Sequence, residues 1–235
     1  MIYYICYIYF IIFIYSIEIL NAVVVESENE IINFLSRSDN DVTLNINSKI
    51  DIINEIKINS SIKKLSIIGN SIDSSIINLK YPLYFNSYLK EIEIKNIFIY
   101  GNLFFNNNEK ITINTVYLNG YIDSDFNKTN NNNVEITKLI YKPTLESIEN
   151  CINLSGNIII NKSNFNGNSS CRNRLLHYNG FNKYTLDIKE CNFNGEYECP
   201  FLSIQNALNA IFINIRMKNS KINRIGGLER KPKQK

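Results

Sequence analysis

The sequence predicts an all-β fold of short parallel strands wound into a solenoid, on three observations. Ile and Asn together supply about a third of the 235 residues, with 43 Ile and 40 Asn against 9 Gly and 4 Pro. A ten-residue pattern recurs about every 24 residues, and a shorter pattern precedes most of its copies. β-Branched Ile and aromatic Tyr and Phe favour a pleated surface, while Asn favours turns. Ala, Leu, Gln and Met are too scarce for a helical bundle. A hydrophobic fraction of 45% and a net charge of only +3 exclude a disordered chain. An A/T-rich gene would also be rich in Ile and Asn codons, so position within the repeat carries the argument, not abundance.

The first element is a leader. Residues 2–15 are unbroken in apolar and aromatic character, and Ser16, Glu18 and Asn21 lead to Ala22. This is the pattern of a secretory signal cut after Ala22, and the domain is then residues 23–225 followed by a basic tail, 226–235. The competing reading is a signal anchor, because no Lys or Arg precedes the apolar run. Removing residues 1–22 removes Cys6 and leaves four cysteines in a compartment that permits disulfides, so the chain is expected to be secreted or held at a cell surface. There is no C-x-x-C, and His177 is the only histidine. No metal or cofactor site is expected.

The repeat units start at Ile92, Ile111, Val134, Ile158 and Leu186, with a decayed copy read from Ile211. Their first and third residues are Ile, Leu or Val and their second and fourth are mostly polar, the period-2 signature of a half-buried strand. Apolar residues return at positions six and eight, so the chain bends once inside each unit. The companion pattern is L-Y-F-N from Leu83, L-F-F-N from Leu103, I-N-L-S from Ile152, L-H-Y-N from Leu176 and L-S-I-Q from Leu202. Three short strands per turn describe a parallel β-helix. Stacking then places Ile92, Ile111, Val134, Ile158 and Leu186 in one interior column. Asn86, Asn106 and Asn179, with Ser155 and Gln205, stack at one corner as an asparagine ladder. The clusters at 106–108 and 130–133 otherwise read as solvated loop. Arg216 and Lys218 fall where the decayed unit should face the core.

These features resemble the right-handed parallel β-helix, pectin-lyase-like superfamily, over most of residues 23–225. The resemblance implies a short N-terminal helix capping the open core. Ser27 with Glu30 offers its capping box and Ile31, Phe34 and Leu35 its apolar face. D-V-T-L-N-I, K-I-D-I-I, L-S-I-I-G-N and S-S-I-I-N-L follow in the order such domains show. The phrases N-R-L-L-H-Y-N-G and F-N-G-E-Y-E-C-P also look like secreted Asn/Ile-rich β-helix proteins of anaerobic gut fungi, some associated with extracellular scaffolds. In the coil scheme Cys171 and Cys199 enter equivalent strands in neighbouring coils, which predicts a Cys171–Cys199 bridge, with Cys151 the less favoured partner. Cys191 takes an interior position and reads as a small buried residue.

The resemblance also implies an outer face on which polysaccharide lyases and hydrolases of the superfamily work, but none of the hydrolases' N-T-D, D-D and G-H-G type motifs is present. Glu93, Thr112, Glu135, Ile159 and Asp187 would line up outside, beside Lys95, Asn114, Thr137, Asn161 and Lys189. That mixture of signs reads as solvated ion pairs. Asp123 and Asp125 form a close Asp pair, placed in a long loop, and His177 has no evident acid or nucleophile beside it. Sequons at Asn59, Asn127, Asn153, Asn161 and Asn168 are glycan acceptors if the chain is secreted. The function expected is a secreted, non-catalytic scaffold or surface protein. Its partners would be plant or cell-wall polysaccharide or extracellular scaffold proteins, with Tyr100, Tyr117 or Tyr121 able to stack on sugars. Nucleic acid is not among them, and a membrane enters only through an uncleaved leader. A polysaccharide lyase or hydrolase is the alternative.

Overall fold

The structure is a computed structural model that describes residues 22–219 except 129, 130, 145, 147 and 197. All of the predicted leader but Ala22, and the whole basic tail, lie outside the described residues. The chain opens with β1 (Ala22–Val25), the helix α1 (Glu28–Ser36), β2 (Asp41–Ile46), β3 (Lys49–Ile52), β4 (Lys64–Gly69) and β5 (Ile76–Leu79). Six further passes follow: β6 (Leu83–Phe85) with β7 (Glu91–Tyr100), then β8 (Leu103–Asn106) with β9 (Lys110–Asn119). β10 (Ile122–Asp125), β11 (Asn133–Thr137) and β12 (Ile140–Lys142) make the next, then β13 (Ile148–Ser155), β14 (Asn157–Asn161) and β15 (Asn164–Asn166). β16 (Cys171–Asn179), β17 (Thr185–Lys189) and β18 (Asn192–Asn194) precede a last pass of β19 (Leu202–Gln205), β20 (Asn209–Ile213) and β21 (Arg216–Lys218).

Every strand pairing is parallel, and the chain forms a solenoid of about eight turns with about 24 residues per turn. It has three faces. The first carries β1, β2, β4, the leading halves of β7 and β9, then β11, β14, β17 and β20. The second carries β3, β5, the trailing halves of β7 and β9, then β12, β15, β18 and β21. The third stacks β6, β8, β10, β13, β16 and β19. Parallel strands buried on their inner face need a continuous apolar column, and the sequence supplies it. Ile92, Ile111, Val134, Ile158 and Leu186 stand in register, as do Ile94, Ile113, Ile136, Ile160 and Ile188, and none is more than 2% exposed. Each such side chain stabilises the fold by about 1.5–3 kcal/mol.

The predicted cap is present. The Ser27 side chain accepts from the Glu30 amide at 3.4 Å, and the Glu30 carboxylate returns to the Glu26 amide at 2.7 Å. Ile31 and Leu35 close the core. Glu28 ties the helix to the next coil by accepting from the amides of Ile53 at 2.8 Å and Asn54 at 2.7 Å.

The bend between the first and second faces falls at the fifth position of each unit. Asn96, Thr115, Lys138, Lys162, Glu190 and Asn214 all take positive φ there, between 51° and 55°. In β4 the same place holds Gly69, where a Cβ would come within 2.2 Å of the Asn96 carbonyl oxygen. Left-handed backbone costs an L-residue about 1–2 kcal/mol, most for a β-branched one and least for Asn. Thr115→Asn, which copies the Asn96 and Asn214 solution, is therefore expected to stabilise the protein by about 0.5–1 kcal/mol. A urea midpoint that stays put or falls would contradict this account of the bend.

Position five also corrects the last unit. Asn214 occupies it, so the unit starts at Ala210 and not at Ile211, and the pairing agrees: Leu186 lies against Ala210 and Ile188 against Phe212. A one-residue slip reverses every side chain. Met217 thus continues the interior column of Phe193, and Arg216 and Lys218 point outward.

The cysteines require a second correction. Cys151 and Cys171, on neighbouring strands of the third face, form the disulfide, with Cα atoms 5.3 Å apart. Cys199 is a free, buried thiol. The next strand meets β16 at Leu175 and Leu176, whose amides bond the carbonyls of Pro200 and Phe201 at 2.9 and 2.8 Å. Cys199 therefore lies near Arg174, not Cys171, and burial pushes its thiol up to about 12. Cys191 is buried as expected, its thiol 3.1 Å from the Lys189 carbonyl oxygen.

The corner residues stand in register, with Asp125 between Asn106 and Ser155, and bond mainly within their own turn, apart from Asn206, which donates to Asn179 at 3.4 Å. Asn86 donates to the Tyr88 hydroxyl at 2.9 Å, Asn106 accepts from Asn107 at 3.0 Å, and Asn179 accepts from the Phe181 amide at 3.1 Å. The buried asparagines are instead Asn108 and Asn132, both 0% exposed, inside clusters that read as solvated loop. Asn108 donates to the carbonyls of Asn86 at 3.1 Å and Leu89 at 2.7 Å and accepts from the Asn106 amide at 2.9 Å. Asn132 donates to the Asn108 carbonyl at 2.6 Å, one turn on. Chain bends leave carbonyls unpaired at this corner, and these amides satisfy them.

Candidate ligand-binding face

The exterior of the first face carries the carboxylates that the repeat aligns, and they sit beside lysines two residues away. Lys189 lies 2.6 Å from Asp187, and Lys95 lies 3.5 Å from Glu93. Thr112, Glu135 and Ile159 separate the two pairs along the column. Such half-exposed pairs contribute little stability.

On the third face Tyr84, Phe104, Asp123, Asn153, His177 and Ser203 form one outward column. Asp123 and Asp125 therefore lie on a strand, β10, and not in the loop expected for them. Alternation aims their side chains the same way. Asn153 donates to Asp123 at 2.8 Å, so one carboxylate is already engaged. Burial, then the nearby Arg174 charge, lowers the pKa of His177, which keeps the imidazole neutral near pH 7. Among the described residues no three His, Cys, Asp or Glu side chains are grouped to hold a metal ion.

The second face is different in kind. Its outer column runs Lys49, Ile76, Phe98, Tyr117, Ile140, Asn164, Asn192, Arg216, one residue per turn. On the ~4.8 Å strand spacing this stripe is about 34 Å long. Phe98 stacks on Tyr117 at 4.1 Å between ring centroids and on Tyr100, in the adjoining column, at 4.2 Å. Tyr100 is 42% exposed. Asn78 and Asn119 flank Tyr100 in that adjoining column, which ends in Asn194 and Lys218. Asn192 donates to Asn164 at 2.8 Å, so on this face neighbouring turns are linked by an amide ladder. Shallow depressions of about 520 Å³ beside Tyr100 and about 390 Å³ between Ile140 and Lys218 follow the same stripe.

The sequence singled out Tyr100 and Tyr117, and the fold brings them together over Phe98. Tyr121 stands apart, at the corner leading to the third face, where its amide donates to Asn102 at 3.0 Å. The residues missed were Phe98 and the Asn164–Asn192 ladder. Their shared seventh position in the unit was the signal. The five sequon asparagines all lie outside the core. Asn127 is exposed and Asn161 half-buried on the first face, whereas Asn59, Asn153 and Asn168 spend their amides on Ser36, Asp123 and Pro143 at 2.9, 2.8 and 3.4 Å. Comparison of the chain with protein-family models, with curated proteins and with solved structures finds no match.

Proposed function

We propose that this protein is a secreted, non-catalytic solenoid that binds an extended polysaccharide along its second face. The observation that carries the reading is the stripe in which stacked rings at Phe98, Tyr100 and Tyr117 pass in register into amide side chains. Flat apolar rings suit the C–H faces of sugars, amides suit their hydroxyls, and a repeating polymer suits a repeating surface. Secretion is supported by the Cys151–Cys171 bridge and the apolar leader sequence. Coil length and the capping helix favour kinship with the right-handed pectin-lyase-like proteins.

Affinity electrophoresis through gels of pectin, alginate and xylan, with and without calcium, tests this directly. At least one polymer should retard the protein, and Tyr100→Ala should weaken retardation about 10-fold. No retardation by any neutral or acidic glycan sinks the binding role. New unsaturated or reducing ends in the same incubations would establish the competing enzymatic role.

A further inference from the structure

The last described turn of the solenoid carries an apolar outer strand. On the first face each of β2, β4, β7, β9, β11, β14 and β17 places at least one charged or hydrogen-bonding side chain outward, from Thr43 and Asn45 to Asp187 and Lys189. In β20 both outward places are apolar, Ile211 and Ile213, which are 41% and 44% exposed. The inward residues of this turn are open as well, Phe212 being 41% exposed and Met217 46% exposed. Among the described residues β19, β20 and β21 are edge strands, each paired on one side only. An apolar edge with no charge or proline is a template for another strand. Core exposure alone does not account for Ile211 and Ile213, since they face away from the core.

We propose that this end docks on the same end of a second copy, tail to tail. A two-fold axis through Phe212 pairs β20 antiparallel with the partner's β20, setting Ile211 against the partner's Ile213 and the converse on one continuous outer surface. The same axis exchanges the second and third faces. Arg216 and Lys218 on β21 then meet the end of the third face, where β19 carries no charge, so like charges are kept apart. A coil of about 24 residues rising ~4.8 Å has a cross-section on the order of 700 Å² at protein packing density. Two such ends bury on the order of 1,400 Å², within the range of specific interfaces. A two-fold contact uses this same end of both copies, so the assembly stops at two.

Sedimentation equilibrium on the purified protein, with residues 220–235 in place, tests the proposal. A dimer at micromolar concentration is expected, and Ile211→Lys with Ile213→Lys should weaken it at least ~100-fold with unchanged circular dichroism. Ile159→Lys, an equally exposed Ile of the same face, should leave the dimer intact. A monomer at all concentrations overturns the proposal, including the case where the protein's own C-terminal residues cover the edge. An oligomer indifferent to the double lysine variant, or one that grows into filaments, overturns it too.

Discussion

Asn108→Leu is expected to remove about 2–6 kcal/mol of stability, a large part of the ~5–15 kcal/mol that holds a domain of this kind together. Leucine keeps asparagine's branching but is the larger side chain, so no cavity opens and some overpacking adds to the loss of hydrogen bonds. Two backbone groups lose their partner, the carbonyl of Leu89 and the amide of Asn106, while the carbonyl of Asn86 keeps the Leu89 amide at 3.0 Å. Each group left buried and unpaired costs about 1–3 kcal/mol, whereas the bonds themselves contribute less when water is the alternative. Asn131→Ser, at an exposed site one turn away in another asparagine cluster, should change stability by no more than about 0.5 kcal/mol. Urea unfolding of the two variants decides the matter. An Asn108→Leu protein as stable as the parent would mean that the corner backbone finds other partners.

Asn108→Asp adds a signature in pH. A carboxylate at this place would aim lone pairs at two carbonyl oxygens in a buried site, so its folded-state pKa must rise above the unfolded value near 3.9. Protonation then favours the folded state. Acidification should partly rescue this variant while it leaves Asn108→Leu unrepaired.

The same residue shows what could be read from the sequence. Ile92, Ile111, Val134, Ile158 and Leu186 were legible because alternation repeated at a coil length has few other physical meanings. Asn108 was not, since in a chain so rich in Asn a buried amide and a solvated one look alike. Its distinguishing mark is place: it stands where the two preceding coils put the buried Leu89 and Ile62. The slip at β20 has a similar cause. I-F-I is apolar in either frame, and only the left-handed bend at Asn214 and the closing Asn219 select the frame starting at Ala210. The stripe on the second face was half legible: its tyrosines stood out as rings, but Phe98, Asn164 and Asn192 gain meaning only when position seven is followed through every turn.

Cys151→Ala and Cys171→Ala should each cost about 3 kcal/mol, and the double variant should cost scarcely more than either single one. The bridge closes a segment of 20 residues, for which the loss of unfolded-chain entropy gives about that figure. A bridge between Cys171 and Cys199 would give nearly the same number for its own 28-residue segment, so magnitude alone does not separate the two pairings. The pattern across single variants does. With Cys151 and Cys171 joined, Cys199→Ala removes only a small buried thiol and should cost about 1 kcal/mol, unchanged by reductant. With the other pairing, Cys199→Ala would carry the large loss and Cys151→Ala the small one. Non-additivity is the sharper criterion, because removing either end of a shared bond abolishes the whole constraint. Peptide mapping without reduction supplies the direct check: a linked peptide pair containing Cys151 and Cys171, with alkylatable thiols at Cys191 and Cys199 once the protein is unfolded. The consequence reaches the binding stripe, since the bridge clamps β13 to β16 on the third face. Its turns also carry Asn164 and Asn192, so loosening the clamp should weaken polysaccharide retention at that end before it disturbs the stacked rings at Phe98 and Tyr117.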